Sequence, residues 1–400
     1  MRYFYAPLML ILLLSSVPAG AAETESETAA LAAYQWVGGT GNWDEATNWN
    51  PAGVPGPGDA VTISSGEVTT SGDRIVGDLT MGSGGKLLGT GSLTITGTFN
   101  MSNAASEISF DGDISVGGLL TWSGGRMSGT GTTTAGGGFT VSGSAGSSTN
   151  DKFLDGRRIL IPAGQTATHS GNRLNGVNGA EYEIASGATL DITTGNNFSF
   201  FNAGAGGATL INRGTIAKTS GTTFALEIGW DLENHGIVLM NQEGAELRFG
   251  GAMADFGGTY EATAGTLNLD IKASQNPVQI GASSVIRSGA SGRIHFGSRT
   301  GDGTDTFFSF SGLADIAGNL SVASSGNTYA NLQVEETATL QQLGTAGISA
   351  GGNRGRLFVL RSPGSPDVID VGNASVGFEG TLRIEGDAVV NGDMNLSIAC

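Results

Sequence analysis

Residue types that commonly do chemistry are sparse in this chain, and their spacing restricts them further. His169, His235 and His295 stand far apart in unrelated settings, and the single cysteine is Cys400. A zinc site needs three or four convergent donors, and no close His or Cys spacing offers them. His235 adjoins a repeated asparagine and reads as an outward side chain. No nucleophile elbow, P-loop or dinucleotide fingerprint sits between a strand and a helix. Carboxylates remain. The run Thr300-Gly-Asp302-Gly-Thr-Asp305-Thr-Phe307 has the form of one glycine-rich calcium-binding turn lacking its first glycine. Such turns share ions between tandem copies, and there is no second copy. Asp302 and Asp305 are thus candidate calcium ligands, with a solvated turn as the plainer reading; Asp111 and Asp113 form a similar acidic turn. Arg299 with Asp302 and Asp305 is the one cluster with a basic residue and the two carboxylates needed to cleave a glycosidic bond.

Two further sets could contact a ligand. Trp36, Trp43 and Trp49 crowd into one glycine-punctuated stretch that continues through Val54-Pro55 and Gly58-Asp59. Their rings would either cover an apolar interior or present faces on which pyranose rings stack. Lys86 and Arg126 occupy matching places in an internal repeat, which would align them on one side of the molecule and make that side the first place to seek an acidic ligand.

That repeat leads to the elements. Gly77–Ser102 recurs as Gly117–Ser142, offset by 40, with Gly77, Gly85, Gly89, Thr94, Gly97, Phe99 and Ser102 unchanged. Farther on, Gly214, Gly236 and Gly258 are spaced by 22. Asn212 and Asn234 precede the first two glycines, and Phe256 stands where a third asparagine would fall. Between these marks lie runs of three to six residues alternating apolar and small polar side chains, such as Leu93-Thr-Ile95 and Thr189-Leu-Asp-Ile192. Period-two alternation with β-branched residues signals strands with one buried face. A constant step with equivalent residues in register is what a β-helix requires, since each residue sits on its equivalent one strand spacing away. The pattern predicts an all-β, right-handed parallel β-helix (β-solenoid) of about 20–22 residues per coil with an N-terminal Trp-rich cap. Asn212 over Asn234 would form an amide ladder, and Gly214, Gly236 and Gly258 would be turn positions.

Composition narrows the setting. With 19 Lys plus Arg against 36 Asp plus Glu, the net charge is −17, which opposes nucleic acid and anionic membranes as partners. Residues 1–22 have the charged start, short apolar run and small-residue end of a secretory signal peptide. Residues 23–33 read as a linker, 34–60 as the cap and 61–400 as the β-helix. No later segment is long and apolar enough to span a membrane, which predicts no transmembrane segment after signal cleavage. The cysteine-free body relies on packing, without disulfides. The final strands, Gly380 to Cys400, carry no cap, so either the natural chain continues or a partner, including a second copy, covers that edge.

The Trp36-x-Gly38-Gly39-x-Gly41-x-Trp43 run with Asn48-Trp49, Val54-Pro55 and Gly58-Asp59 resembles the opening of large secreted bacterial β-strand-repeat proteins. The Asn-x-Gly-x-Ile coils resemble those of filamentous-haemagglutinin-type and autotransporter-adhesin passengers. The resemblance implies a right-handed parallel β-helix, secreted or on the cell surface, that serves as an adhesin-like or structural scaffold protein contacting extracellular polysaccharide or a neighbouring cell. No cofactor is implied beyond the calcium candidate. The alternative is a carbohydrate-active β-helix enzyme, a polysaccharide lyase or glycoside hydrolase. An enzyme should gather carboxylates and a basic residue in one groove across adjacent coils, whereas a stalk should show a uniform Ser, Thr and Asn face.

Overall fold

The computed structural model describes residues 31–143, 151–171, 173–194, 198–204, 206–221, 223, 225–271, 278–298, 305–324, 328–344, 347–350, 354–360, 369–371, 374–376, 380–385, 388–390 and 394–396. Alternation becomes strand in the expected way: in Leu93–Ile95 and Phe139–Val141 the outer two side chains are buried and the middle threonine is not. The protein is an all-β solenoid of parallel strands. Among the described residues the one antiparallel pairing joins Ala33–Trp36 to Trp49–Asn50.

Each coil contributes to three faces. The first carries an inward column that runs Leu79, Phe99, Leu120, Phe139, Ala167, Leu190, Ile216, Val238, Tyr260, Ile286, Ala314. Each of these side chains is at least 98% buried. Sequestering such a side chain is worth about 1.5–3 kcal/mol, so stacking of like on like along the column is the main cohesion. The second face follows around a corner, and strands such as Phe99–Phe110 and Ile237–Phe249 run through both, with register shifts at the bend. The third face holds a nine-stranded sheet ending at Met253–Phe256 and then a separate five-stranded sheet starting at Val278–Ile280.

The 22-residue step holds from Ile216 to Val238 to Tyr260. Elsewhere it ranges from 18 residues, Val61 to Leu79, to 30, Val278 to Phe308. The 40-residue repeat is two coils, Phe99 to Leu120 to Phe139, with one local slip. Leu120, not Leu119, takes the place of Leu79 in the core, and Leu119 is 43% exposed.

The tryptophan stretch does not sit as a plug outside the coils. Ala33–Gln35 pair in parallel with Ala60–Thr62, and Thr40–Asn42 with Glu67–Thr69, so the segment is itself the first coil. Trp36, Trp43 and Trp49 are at most 2% exposed. Trp49 meets Trp36 edge-on at 5.0 Å and Trp43 at 4.9 Å between centroids, and its Nε1 donates to the Trp43 carbonyl at 2.8 Å. No ring face is open to a pyranose. The three rings fill the end of the core, which rules out the stacking platform.

Asn212 and Asn234 lie in register and fully buried, Asn212 Nδ2 donating to Asn234 Oδ1 at 2.7 Å and to the Ile237 carbonyl at 3.0 Å. Each Oδ1 also accepts the amide N–H of the glycine two residues on, Gly214 at 3.2 Å and Gly236 at 3.3 Å. A Cβ on Gly236 would stand 2.1 Å from the Gly214 carbonyl oxygen and one on Gly258 2.4 Å from that of Gly236, so the column accepts only glycine. Phe256 continues the asparagine column on the next coil. Asn234→Val should cost about 1–3 kcal/mol, because the buried Asn212 Nδ2–H and the half-buried Gly236 N–H both lose the Oδ1 that accepts them. Removing Asn212 as well should add less than a second full penalty. Chemical denaturation of the two single variants and the double variant measures both effects.

Candidate functional site

One outward column on the second face gathers charged and aromatic side chains. Because strand neighbours pair directly, its members follow at about 4.8 Å intervals. The column begins Glu67, Lys86, Glu107, Arg126, Phe153, Asn175, Phe201. Lys86 and Arg126 therefore share one side of the solenoid, two coils apart, with Glu107 between them. Neither is a bare cation. Lys86 Nζ is 3.6 Å from Glu107 Oε2, and Arg126 pairs with Asp155 while lying 4.9 Å over the Phe153 ring. The Arg173 guanidinium covers the Phe201 ring at 4.6 Å, and Phe201 is 38% exposed. This half of the column is nearly electroneutral and aromatic, and does not form the basic patch that an acidic ligand would need.

Past Phe201 the pairing slips, with Phe200 opposite Ile228, and a neighbouring outward column reads Glu227, Arg248, Asn268, His295, Ser321, Ser349. Flanking it on the same outward face are Glu246 and Arg293 on one side and Asp270 and Gly297 on the other. Leu247, Phe249, Leu267, Leu269, Ile294 and Phe296 alternate with these residues and bury themselves in the core, which is why the polar set points outward together. Glu246 Oε1 accepts from Arg248 Nη2 at 2.7 Å and from Asn268 Nδ2 at 2.8 Å. His295 Nδ1 is 2.7 Å from Ser321 Oγ, which also accepts the Arg293 Nε–H at 3.0 Å. Burial pushes the His295 imidazole down to about 4, with Arg293 and Arg248 adding to the fall and Glu246 opposing it. The ring is neutral at pH 7.

This region brings two carboxylates, two guanidinium groups, an imidazole and a hydroxyl onto adjacent coils. Such a set can hydrogen-bond a polyhydroxylated ligand, and it has the makings of acid–base chemistry on one. The first face differs. Thr62, Thr80, Asn100, Thr121, Thr140 and Thr168 form a uniform hydroxyl and amide column there. The uniform polar column and the mixed charged cluster thus lie on different faces.

Asp302 and Arg299 lie outside the described residues. The Asp305 carboxylate accepts the Tyr329 N–H at 3.0 Å across to the next coil. His169 is fully buried against Phe200 at 4.8 Å between ring centroids, and His235 is exposed. Asp113 Oδ1 accepts the Thr132 N–H at 2.8 Å. Among the described residues no three His, Cys, Asp or Glu side chains gather as a metal cluster.

Three buried cations had no sequence signal: Arg157, whose carbonyl partners come from other coils, Lys218, whose Nζ donates to the Thr194 and Ser220 carbonyls at 3.3 and 3.2 Å, and Lys152. Lys152 is fully buried with Nζ donating to the Ser142 carbonyl at 2.8 Å. Burial pushes it down to about 8, against the attraction of Asp151. The unfolded chain holds this proton up to about 10.4, so between pH 8 and 10.4 the unfolded state binds more protons and stability rises with pH. The rise is of order 3 kcal/mol. Subtracting the stability of Lys152→Met from that of the parent at each pH isolates it; a flat difference would contradict the burial of a charged Lys152.

The sequence matches no protein-family model, and no curated protein and no solved structure matches it.

Proposed function

We propose that the protein is a secreted or cell-surface β-solenoid that acts by surface contact, as an adhesin-like or scaffold protein, with its second face laid along an extracellular polysaccharide. The observation that carries this reading is the outward side of the second face, where a column from Lys86 to Phe201 and a neighbouring one from Glu227 to Ser321 repeat at strand spacing and mix the Phe153 and Phe201 rings with guanidinium groups. Ring faces suit sugar C–H surfaces, and guanidinium, carboxylate and hydroxyl groups suit sugar hydroxyls. Paired cations on a chain of net charge −17 favour a neutral glycan over a strongly acidic one. The resemblance of the opening tryptophan motif to secreted bacterial repeat proteins supports the same setting.

Retention of the full chain on immobilised neutral and acidic polysaccharides tests the proposal. At least one neutral glycan should retain it, and Phe201→Ala with Arg126→Ala should weaken retention at least fivefold. Retention by none, or indifference to both substitutions, would overturn it.

A second reading, a carbohydrate-active enzyme, is favoured by one observation: Glu246, Asp270, Arg248, Arg293 and His295 meet across adjacent coils. New reducing or unsaturated ends on incubation with the same glycans, abolished by Asp270→Asn, would support it. No product would exclude it for those glycans.

A further inference from the structure

Three donor atoms face a niche on the second face created by the missing side chain of Gly297. A Cβ built on Gly297 would lie 3.2 Å from Asp270 Oδ1, 3.3 Å from His295 Nε2 and 3.4 Å from Asn268 Oδ1. A carboxylate oxygen, an amide oxygen and an imidazole nitrogen thus surround one point, from two successive coils. Asn268 is 6% exposed, and its Oδ1 accepts no hydrogen bond, although its Nδ2 is committed to Glu246. A buried acceptor left without a donor costs about 1–3 kcal/mol, and this one is aimed into the niche.

From this convergence we propose that Asn268, Asp270 and His295 form a site for a divalent first-row transition cation of the zinc class. The donor set decides the class. An imidazole with two oxygen donors suits zinc, cobalt or nickel, whereas calcium and magnesium take oxygen-rich shells. Three protein ligands leave a coordination position for water or an outside group, as in open zinc sites. His295 also has the support that metal-binding histidines need. In the proposed site Nδ1, 2.7 Å from Ser321 Oγ, carries the proton and donates it there, the tautomer that turns the Nε2 lone pair to the niche. Ser321 Oγ is placed for this by Arg293, whose Nε–H it accepts as well. The Arg248 charge, which would repel a cation, is taken up by Glu246 at 2.7 Å. Binding requires Asn268, Asp270 and His295 to draw in from 3.2–3.4 Å to the roughly 2.0–2.2 Å of a metal bond.

Titrating the full chain with cobalt(II) chloride, read by visible d–d absorption, and with zinc chloride, read by calorimetry and thermal unfolding, tests the site. One equivalent of each should bind, zinc should displace cobalt, and calcium chloride should do neither. His295→Gln should weaken zinc binding at least tenfold, and His235→Gln, on the surface, should change nothing. Gly297→Ala keeps all three donors but fills the niche, so it should also weaken binding tenfold. Circular dichroism and unfolding of each variant without metal separate loss of the site from loss of the fold. Absence of one-to-one binding, binding that survives both His295→Gln and Gly297→Ala in folded protein, or binding lost with His235→Gln would overturn the proposal.

Discussion

Trp49→Ala should lower stability by about 3–5 kcal/mol, the usual cost of emptying a large buried aromatic site. The residue is 2% exposed and links the other two rings of the terminal coil, edge-on to both. In a stacked solenoid each coil contacts only its neighbours, so the loss should be local at first. Hydrogen exchange should lose protection in Ala33–Trp36 and Ala60–Ile63, the strands that pair across the first step, while Ile237–Phe249 stays protected. The bared apolar end should also promote association between copies, which sedimentation would detect. A loss below 1 kcal/mol with unchanged exchange would mean that these rings do not close the core.

Arg157→Met should be comparably severe. This side chain is 1% exposed, and its guanidinium reaches the carbonyls of Phe110 at 2.5 Å, Gly112 at 3.1 Å and Thr132 at 3.2 Å, with Thr133 Oγ1 at 2.7 Å. Phe110 and Gly112 belong to one coil, Thr132 and Thr133 to the next, and Arg157 to the one after. One residue therefore ties three coils at a corner. Burial lowers its affinity for protons to a pKa of about 10, against Asp113 and Asp111, so it is still charged at pH 7. Methionine fills similar volume but leaves several carbonyls facing an apolar stem. Breaking a buried charged network of this kind costs about 3–5 kcal/mol. Arg157→Lys should recover only part of the loss, because an ammonium cannot span the same acceptors. Urea denaturation of the three proteins measures the order; equal stability of parent and Arg157→Met would remove the corner from the account of stability.

The solenoid was legible because its cause is local and repeated. Alternating runs such as Leu93-Thr-Ile95 specify strands, and the constant interval of Gly214, Gly236 and Gly258 implies stacking, since a Cβ at the second or third would strike the carbonyl before it. The outward column was harder to read for an equally physical reason. Asn268 pairs with His295 across a step of 27 residues, not 22, because corner segments vary in length at little energetic cost. A fixed-period alignment cannot bring those two side chains together, so attention fell on Arg299, Asp302 and Asp305, just beyond the strand that carries His295. Leu119 shows the same effect on a smaller scale. Arg157 was hidden more completely, since a carbonyl acceptor has no sequence identity and the Arg157-Arg158 pair reads as ordinary surface charge.

The division of the third face also has a mechanical consequence. Between Met253–Phe256 and Val278–Ile280 the third ladder changes sheet, while the other two faces continue through Tyr260 to Ile286 and Leu267 to Ile294. Among the described residues no strand pairing joins Met253–Phe256 to Val278–Ile280, so a crack that opens at this level severs two hydrogen-bonded ladders. Under tension applied through the ends, the solenoid should part there into two blocks before either unravels, giving two families of extension steps in a single-molecule trace. A protein tethering one surface to another would thereby carry its own fuse, placed at the step between Asn268 and His295.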